Sequence, residues 1–357
     1  DENLAEISHM NPVKAFAHLF SPLGGEEADN YRSPGQISFM RSPFVSLEGN
    51  ELVNNEAPYV FIGVPFDEGN VGKPGCEDGP REFRVASLDY FPYWFEFNVD
   101  LHGTVVDSGD VSMPRVSPDL ARERIYNAVL KALAANKIPI ICGGDRSVSI
   151  PATKALSDHL GAEKKMGYMH LGAHLDMADS WAGEKNVSTC SMARITELEN
   201  LSMDNVAHIG ARNSFNPKDH IDLAKNRGMR FHPMYEALER GIDEVMDETI
   251  SKVWNGTDGQ YLSFNFNVMD SSSAPGVTAT EPGGLESREI MRVASKISEQ
   301  GKLSVIDVTE LCPMFDVSGS TSRMAVCVVM RIIAGIALKH GNTLDESLRR
   351  PGWKFKE

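Results

Sequence analysis

Residues able to do acid–base, metal or cation chemistry stand in short runs, each after an apolar stretch. Gly143-Gly144-Asp145-Arg146-Ser147 follows one such stretch, and Gly172-Ala173-His174-Leu175-Asp176 follows another. Asn265, Asn267 and Asp270 close a third, Glu281-Pro282-Gly283-Gly284-Leu285 comes soon after, and Glu310-Leu311-Cys312-Pro313 closes the last. His174 and Asp176 offer donors that a divalent cation uses, but two donors make a weak site, and satisfied structural polar groups are the stronger reading. Glu310 reads equally as a structural group or as a carboxylate for a cationic ligand. Arg146 could anchor a carboxylate or form a buried ion pair with Asp176 or Glu310; pairing is the stronger expectation.

The stretches before these runs cover residues 59–64, 104–107, 138–142, 167–171, 206–209, 261–266 and 303–308. They are short, apolar and rich in Val and Ile, as strands buried on both faces are. Helical patterns separate them. Residues 118–135 carry apolar groups at helical spacing behind Ser117 as N-cap, 287–299 follow Gly-Gly with one apolar side, and 322–339 are apolar nearly all round and predict a buried helix. Alternating strands and helices predict an α/β, three-layer αβα fold with a mainly parallel central sheet. Ligands in such sheets bind at the carboxyl ends of strands, where the polar runs fall. Residues 1–56 read as an N-terminal arm, with 1–9 in part a cloning remnant, and 57–357 as a single domain.

The 357-residue chain has a net charge of -15, with no Lys/Arg cluster that would suit a nucleic-acid surface. No unbroken apolar run predicts a bilayer span and no leader pattern is visible, so the expectation is a cytoplasmic protein with neither a nucleic-acid nor a membrane partner. Cys76, Cys142, Cys190, Cys312 and Cys327 are odd in number and widely spaced, which predicts reduced thiols, each a small core residue. His102, His159, His208, His220, His232 and His340 show no metal spacing and read as core or surface groups.

The order of the polar runs resembles the ureohydrolase family of arginases, agmatinases, guanidinobutyrases and guanidine hydrolases. Its patterns are GGDHS, DAHxD, SxDxDxxDPxxAPG, EPGGL and a late ExxP. Upstream, Gly63-Val64-Pro65-Phe66-Asp67, Gly79-Pro80, Arg84 and Asp107-Ser108-Gly109-Asp110 add to the likeness. The resemblance implies the arginase-like fold and two divalent cations held by two His and four Asp. Carried over residue by residue, it leaves only His174 and Asp176. Arg146 stands for a His, Gly172 for an Asp, and Asn265 and Asn267 for two more Asp. Val187 stands where the family often has a substrate-side His, and Glu310 where it places a carboxylate facing the guanidinium. Asn is nearly the shape of Asp but brings no charge, and Arg146 brings a cation to a cation's place.

The resemblance thus implies a degenerate site at Arg146, Gly172, His174, Asp176, Val187, Asn265, Asn267 and Glu310, with no metal and no catalytic residue in this chain. The function expected from it is a non-catalytic subunit of a heteromeric hydrolase acting on a guanidine or biguanide such as metformin. Its partner would be a homologous catalytic subunit, in a trimer or hexamer, carrying nickel or manganese. The N-terminal arm and surface helices would be the assembly surfaces. The alternative is a stand-alone protein that binds guanidinium compounds without hydrolysis; a metal-free or single-metal hydrolase with altered chemistry is the least expected. Restoring ligands by Arg146→His, Gly172→Asp, Asn265→Asp and Asn267→Asp is expected to recover metal affinity before activity.

Overall fold

The computed structural model describes residues 37–114 and 116–341. An eight-stranded sheet runs through them, built from β1 (Tyr59–Val64), β4 (Val105–Asp110), β5 (Ile138–Gly143), β6 (Met166–Leu171), β7 (Val206–Ile209), β8 (Arg230–His232), β9 (Gly259–Asn265) and β10 (Val305–Thr309). The order is β4-β1-β5-β10-β9-β6-β7-β8, and every neighbouring pair is parallel. A two-stranded antiparallel ribbon, β2 (Tyr93–Trp94) with β3 (Val99–Asp100), stands apart.

The predicted α/β sandwich is borne out, and its apolar stretches became strands because parallel sheets need both faces covered. The four central strands are buried along nearly their whole length. One core layer packs helices Gly79–Ser87, Ile242–Val253, Ser287–Ser298 and Ser320–Lys339 on the sheet; the other packs Pro118–Ala134, Ser149–Leu160, Ser191–Ile195 and Lys218–Asn226. Ser117 caps its helix as expected, accepting from the Leu120 N–H. The helix Ser287–Ser298 starts with a capping box closed by Glu286 and Glu289, which the sequence reading did not pick out.

Two expectations change. β8 was missed because its three residues, Arg230, Phe231 and His232, carry no apolar run, a composition that suits an edge strand. The buried helix expected over residues 322–339 is found as Ser320–Lys339; by length and composition alone it could cross a membrane, but it is mostly buried inside the domain. It packs on Ser287–Ser298 and Gly79–Ser87, which is the role of a core helix. The arm expected over residues 1–56 is described only from residue 37; there Phe39 is fully buried against Phe61 and Phe83, and its N–H donates to Asp107 at 2.8 Å. Residues 37–56 therefore share the domain's core.

Candidate functional site

The carboxyl ends of four adjacent strands, β5, β10, β9 and β6, bring the polar runs together. Neighbouring parallel strands are about 4.8 Å apart, so side chains from these ends meet across one or two strands. Gly144 makes the approach possible after β5: a Cβ there would stand 1.6 Å from the Phe66 carbonyl oxygen. Asp145 then caps the short 3-10 turn Arg146–Val148, accepting from the N–H of Ser147 at 2.7 Å and of Gly69 at 2.9 Å. Burial nevertheless pushes its carboxyl up to about 7.

Arg146 turns inward and is fully buried. One Nη2 hydrogen goes to the Tyr168 hydroxyl at 2.8 Å, and the same nitrogen lies 3.6 Å from the Met192 sulfur. Its Nε lies 3.6 Å from Asp176 Oδ2, an ion pair too long to be a hydrogen bond. Burial opposes the guanidinium charge, but Tyr168, Asp307 and Asp176 outweigh it and hold Arg146 protonated. The same burial raises the Asp176 carboxyl well above its ordinary value, and Arg146 offsets this only in part. Beneath, Ser149, Tyr261 and Ser263 all donate to Asp307.

Gly172 leaves space that another residue fills. A Cβ at 172, just past the end of β6, would stand 2.5 Å from Nε2 of His170, two residues back along the chain. His170 lies 4.0 Å from Asp176 Oδ2 and 4.9 Å, ring to ring, from His208 on β7. Both imidazoles are fully buried. Burial first and the Arg146 charge next lower both pKa values, that of His208 to about 3, so both are neutral. The sequence reading placed His208 in the core or on the surface and passed over His170, although it stands two residues before Gly172.

Asn265 and Asn267 are fixed by their oxygens. Asn267 Oδ1 accepts from the Ala173 N–H at 2.8 Å, and Asn265 Oδ1 accepts from the Asn267 N–H at 3.0 Å. Each amide nitrogen therefore faces Glu310: Asn267 Nδ2 donates to Oε2 at 3.0 Å, and Asn265 also hydrogen-bonds the carboxylate. Burial raises the Glu310 carboxyl, while Asn265, Arg146 and Asn267 hold it down. Glu310 and Asp176 both have positive φ, 66° and 50°. Such backbone costs roughly 1 kcal/mol or more per residue and persists only where packing fixes it. His174 lies 3.3 Å from Asn267 Nδ2 and 3.6 Å from Glu281 Oε1, and burial lowers its pKa against the pull of Glu281.

Arg212, unremarked in the sequence, ties the loops together. Its guanidinium donates to the carbonyls of Asn267, Met269 and Glu281 at 2.7–2.9 Å and of Pro282 at 3.0 Å. Val187 brings no polar group; it is half-buried and precedes Ser188, whose N–H donates to the Gly69 carbonyl at 2.8 Å, so its segment lies beside the loop that holds Asp145.

The donors present do not fit a pair of divalent cations. Asn265 and Asn267 direct N–H groups into the space, Gly172 supplies nothing, and Arg146 fills the position with positive charge. Among the described residues no three His, Cys, Asp or Glu side chains are grouped to hold a metal.

A sequence model of the arginase family matches residues 57–335. The chain is 29% identical over 321 residues to guanidinobutyrase of Pseudomonas aeruginosa, which covers 88% of this chain and 96% of that protein. Its structure is similar to proclavaminate amidino hydrolase from Streptomyces clavuligerus, with a TM-score of 0.74, 26% identity, and 87% and 99% of the two chains covered. Formimidoylglutamase of Bacillus subtilis superposes with a TM-score of 0.77 over 94% of this chain and 98% of its own, at 21% identity, and so speaks for the fold alone.

Proposed function

The chain belongs to the arginase family, and we propose that within it this polypeptide is a non-catalytic subunit of a heteromeric hydrolase. The complex would act on a guanidine or biguanide, metformin being the narrowest candidate, through a homologous partner that holds nickel or manganese. One observation carries the reading: the fully buried Arg146 guanidinium lies 3.6 Å from Asp176, where the family pattern calls for a metal-binding His. Two metal ions facing that charge at low dielectric would be strongly repelled. Without them no metal-activated hydroxide forms in this chain to attack a guanidinium carbon.

The intact scaffold supports an assembly role. Trp181, Phe215, Tyr235 and Met314 are each more than half exposed, large apolar side chains that a subunit contact would cover. The stand-alone binding alternative rests on Glu310, a buried carboxylate retained at the site. It is the weaker of the two because Asn265 and Asn267 already donate to that carboxylate.

The experiment is co-expression with a homologue carrying the full His and Asp set. The expected result is a complex of defined mass that hydrolyses a guanidine or biguanide, while this chain alone does not. Turnover by this chain alone would overturn the proposal.

A further inference from the structure

We infer that this chain carries its own guanidinium ligand: Arg146 occupies, in cis, a buried cation site formed by Asp176, Tyr168 and Met192, and the site takes a small guanidinium cation from solution only when that side chain is removed. The inference rests on the reading of the chain as a non-catalytic member and deepens it, because it says what closes the pocket.

The contacts around Arg146 are those of a bound ligand. Its nitrogens meet three partners of different kinds in different directions: the Tyr168 hydroxyl at 2.8 Å, the Met192 sulfur at 3.6 Å and the Asp176 carboxylate at 3.6 Å. A flat, delocalised cation with several in-plane donors fits a hydroxyl, a thioether and a carboxylate together; a compact ammonium or sodium ion does not. Two nitrogens, Nε and Nη1, are buried without a hydrogen-bond partner. The tether explains why: the side chain starts at a short turn after β5 and reaches across, so the guanidinium cannot settle closer to Asp176. A free guanidinium has no tether, so the same partners can draw it in.

The second acid is closed from within as well. Glu310 is held by two amides whose orientation is set by the Ala173 and Asn267 N–H groups. Asp176 and Glu310 thus each face an internal partner, and Asp307 beneath accepts from Ser149, Tyr261 and Ser263. The pocket is self-liganded.

The test is cavity rescue by thermal denaturation of the whole chain. Arg146→Ala should melt about 5–10 °C below the wild type, since removing one partner leaves a buried acid uncompensated. Guanidinium chloride at tens of millimolar should raise the variant's melting temperature by at least about 2 °C. Sodium or ammonium chloride at the same ionic strength should not, and wild type should show no rise with any of them. Should Arg146→Ala fail to fold, Arg146→Met keeps the volume without the charge. It should be less stable than wild type, because Asp176 then lies buried without its guanidinium partner. A variant as stable as wild type, a guanidinium effect equal to that of sodium chloride, or calorimetric binding of guanidinium by the wild type would each overturn the inference. Metal analysis of the wild type separates the two readings: a metal-free wild type whose variant is not rescued sinks only the internal ligand.

Discussion

Asn267 donates to the Glu310 carboxylate across 3.0 Å, while its own oxygen accepts from the Ala173 N–H at 2.8 Å. The backbone contact decides the orientation, and the orientation puts a donor where an aspartate would put a second negative charge. Asn265 repeats the arrangement. Charge at the strand ends is thus reversed in sense: amides and a guanidinium stand among Asp176 and Glu310, where acids would gather around metal ions.

Asn267→Asp should therefore destabilise the chain. The new carboxylate keeps the Ala173 contact and turns its other oxygen toward Glu310. Loss of a hydrogen bond to a charged group together with like-charge contact costs about 2–4 kcal/mol. Urea unfolding should show a larger loss at pH 8 than at pH 5, where the two acids can share a proton. A neutral or stabilising effect in metal-free buffer would show that the Asn267–Glu310 contact does not hold the site.

Gly172→Ala tests the packing of His170. The added methyl stands 2.5 Å from Nε2, so the ring must move from its place beside Asp176 and His208. Overpacking of this kind costs about 1–3 kcal/mol. Combining it with His170→Ala should recover part of that loss, read as non-additivity in a double-mutant cycle. Strict additivity would contradict the steric account. The same contact bears on restoring metal ligands: Gly172→Asp must displace the His170 ring, and Asn265→Asp with Asn267→Asp must first overcome Glu310. The four changes should therefore restore metal affinity more fully when the His170 ring is also made smaller.

Stability against acid should depend on His208. Its folded pKa of about 3 lies below the ordinary 6.5, so the unfolded chain binds more protons between those values. This contribution is present above pH 6.5 and is lost as pH falls toward 3. His208→Gln removes it, so the stability difference, wild type minus variant, should be greater at pH 7 than at pH 4. The slope should differ by up to about one proton. Asp145, Asp176 and Glu310, all raised, act in the opposite sense but in both proteins, and cancel in the difference. A difference that stays flat with pH would rule out a buried neutral His208.

Seven of the eight strands in the main sheet were legible because burial on both faces writes itself as an apolar run. The site's place was legible for the same reason, since each polar run begins where such a run stops. Charge alone pointed to a buried pair of Arg146 with either Asp176 or Glu310, and only the fold shows that the neighbour is Asp176. The remainder depended on neighbours that no local pattern records. His170 lay inside a stretch read only as strand. Tyr168 and Met192, partners of Arg146, look like ordinary core residues in the sequence. The facing of Asn265 and Asn267 toward Glu310 is set by two backbone N–H groups, one of them 94 residues away along the chain. Arg212 gathers carbonyls from loops that meet only in the fold.

The most direct test is metal stoichiometry. The purified chain would be incubated with excess Ni²⁺ or Mn²⁺, freed of unbound ion, and measured by elemental analysis beside a family member with the full ligand set. The account predicts well under one ion per chain here and about two in the control. Two tightly held ions per chain in this protein would contradict it.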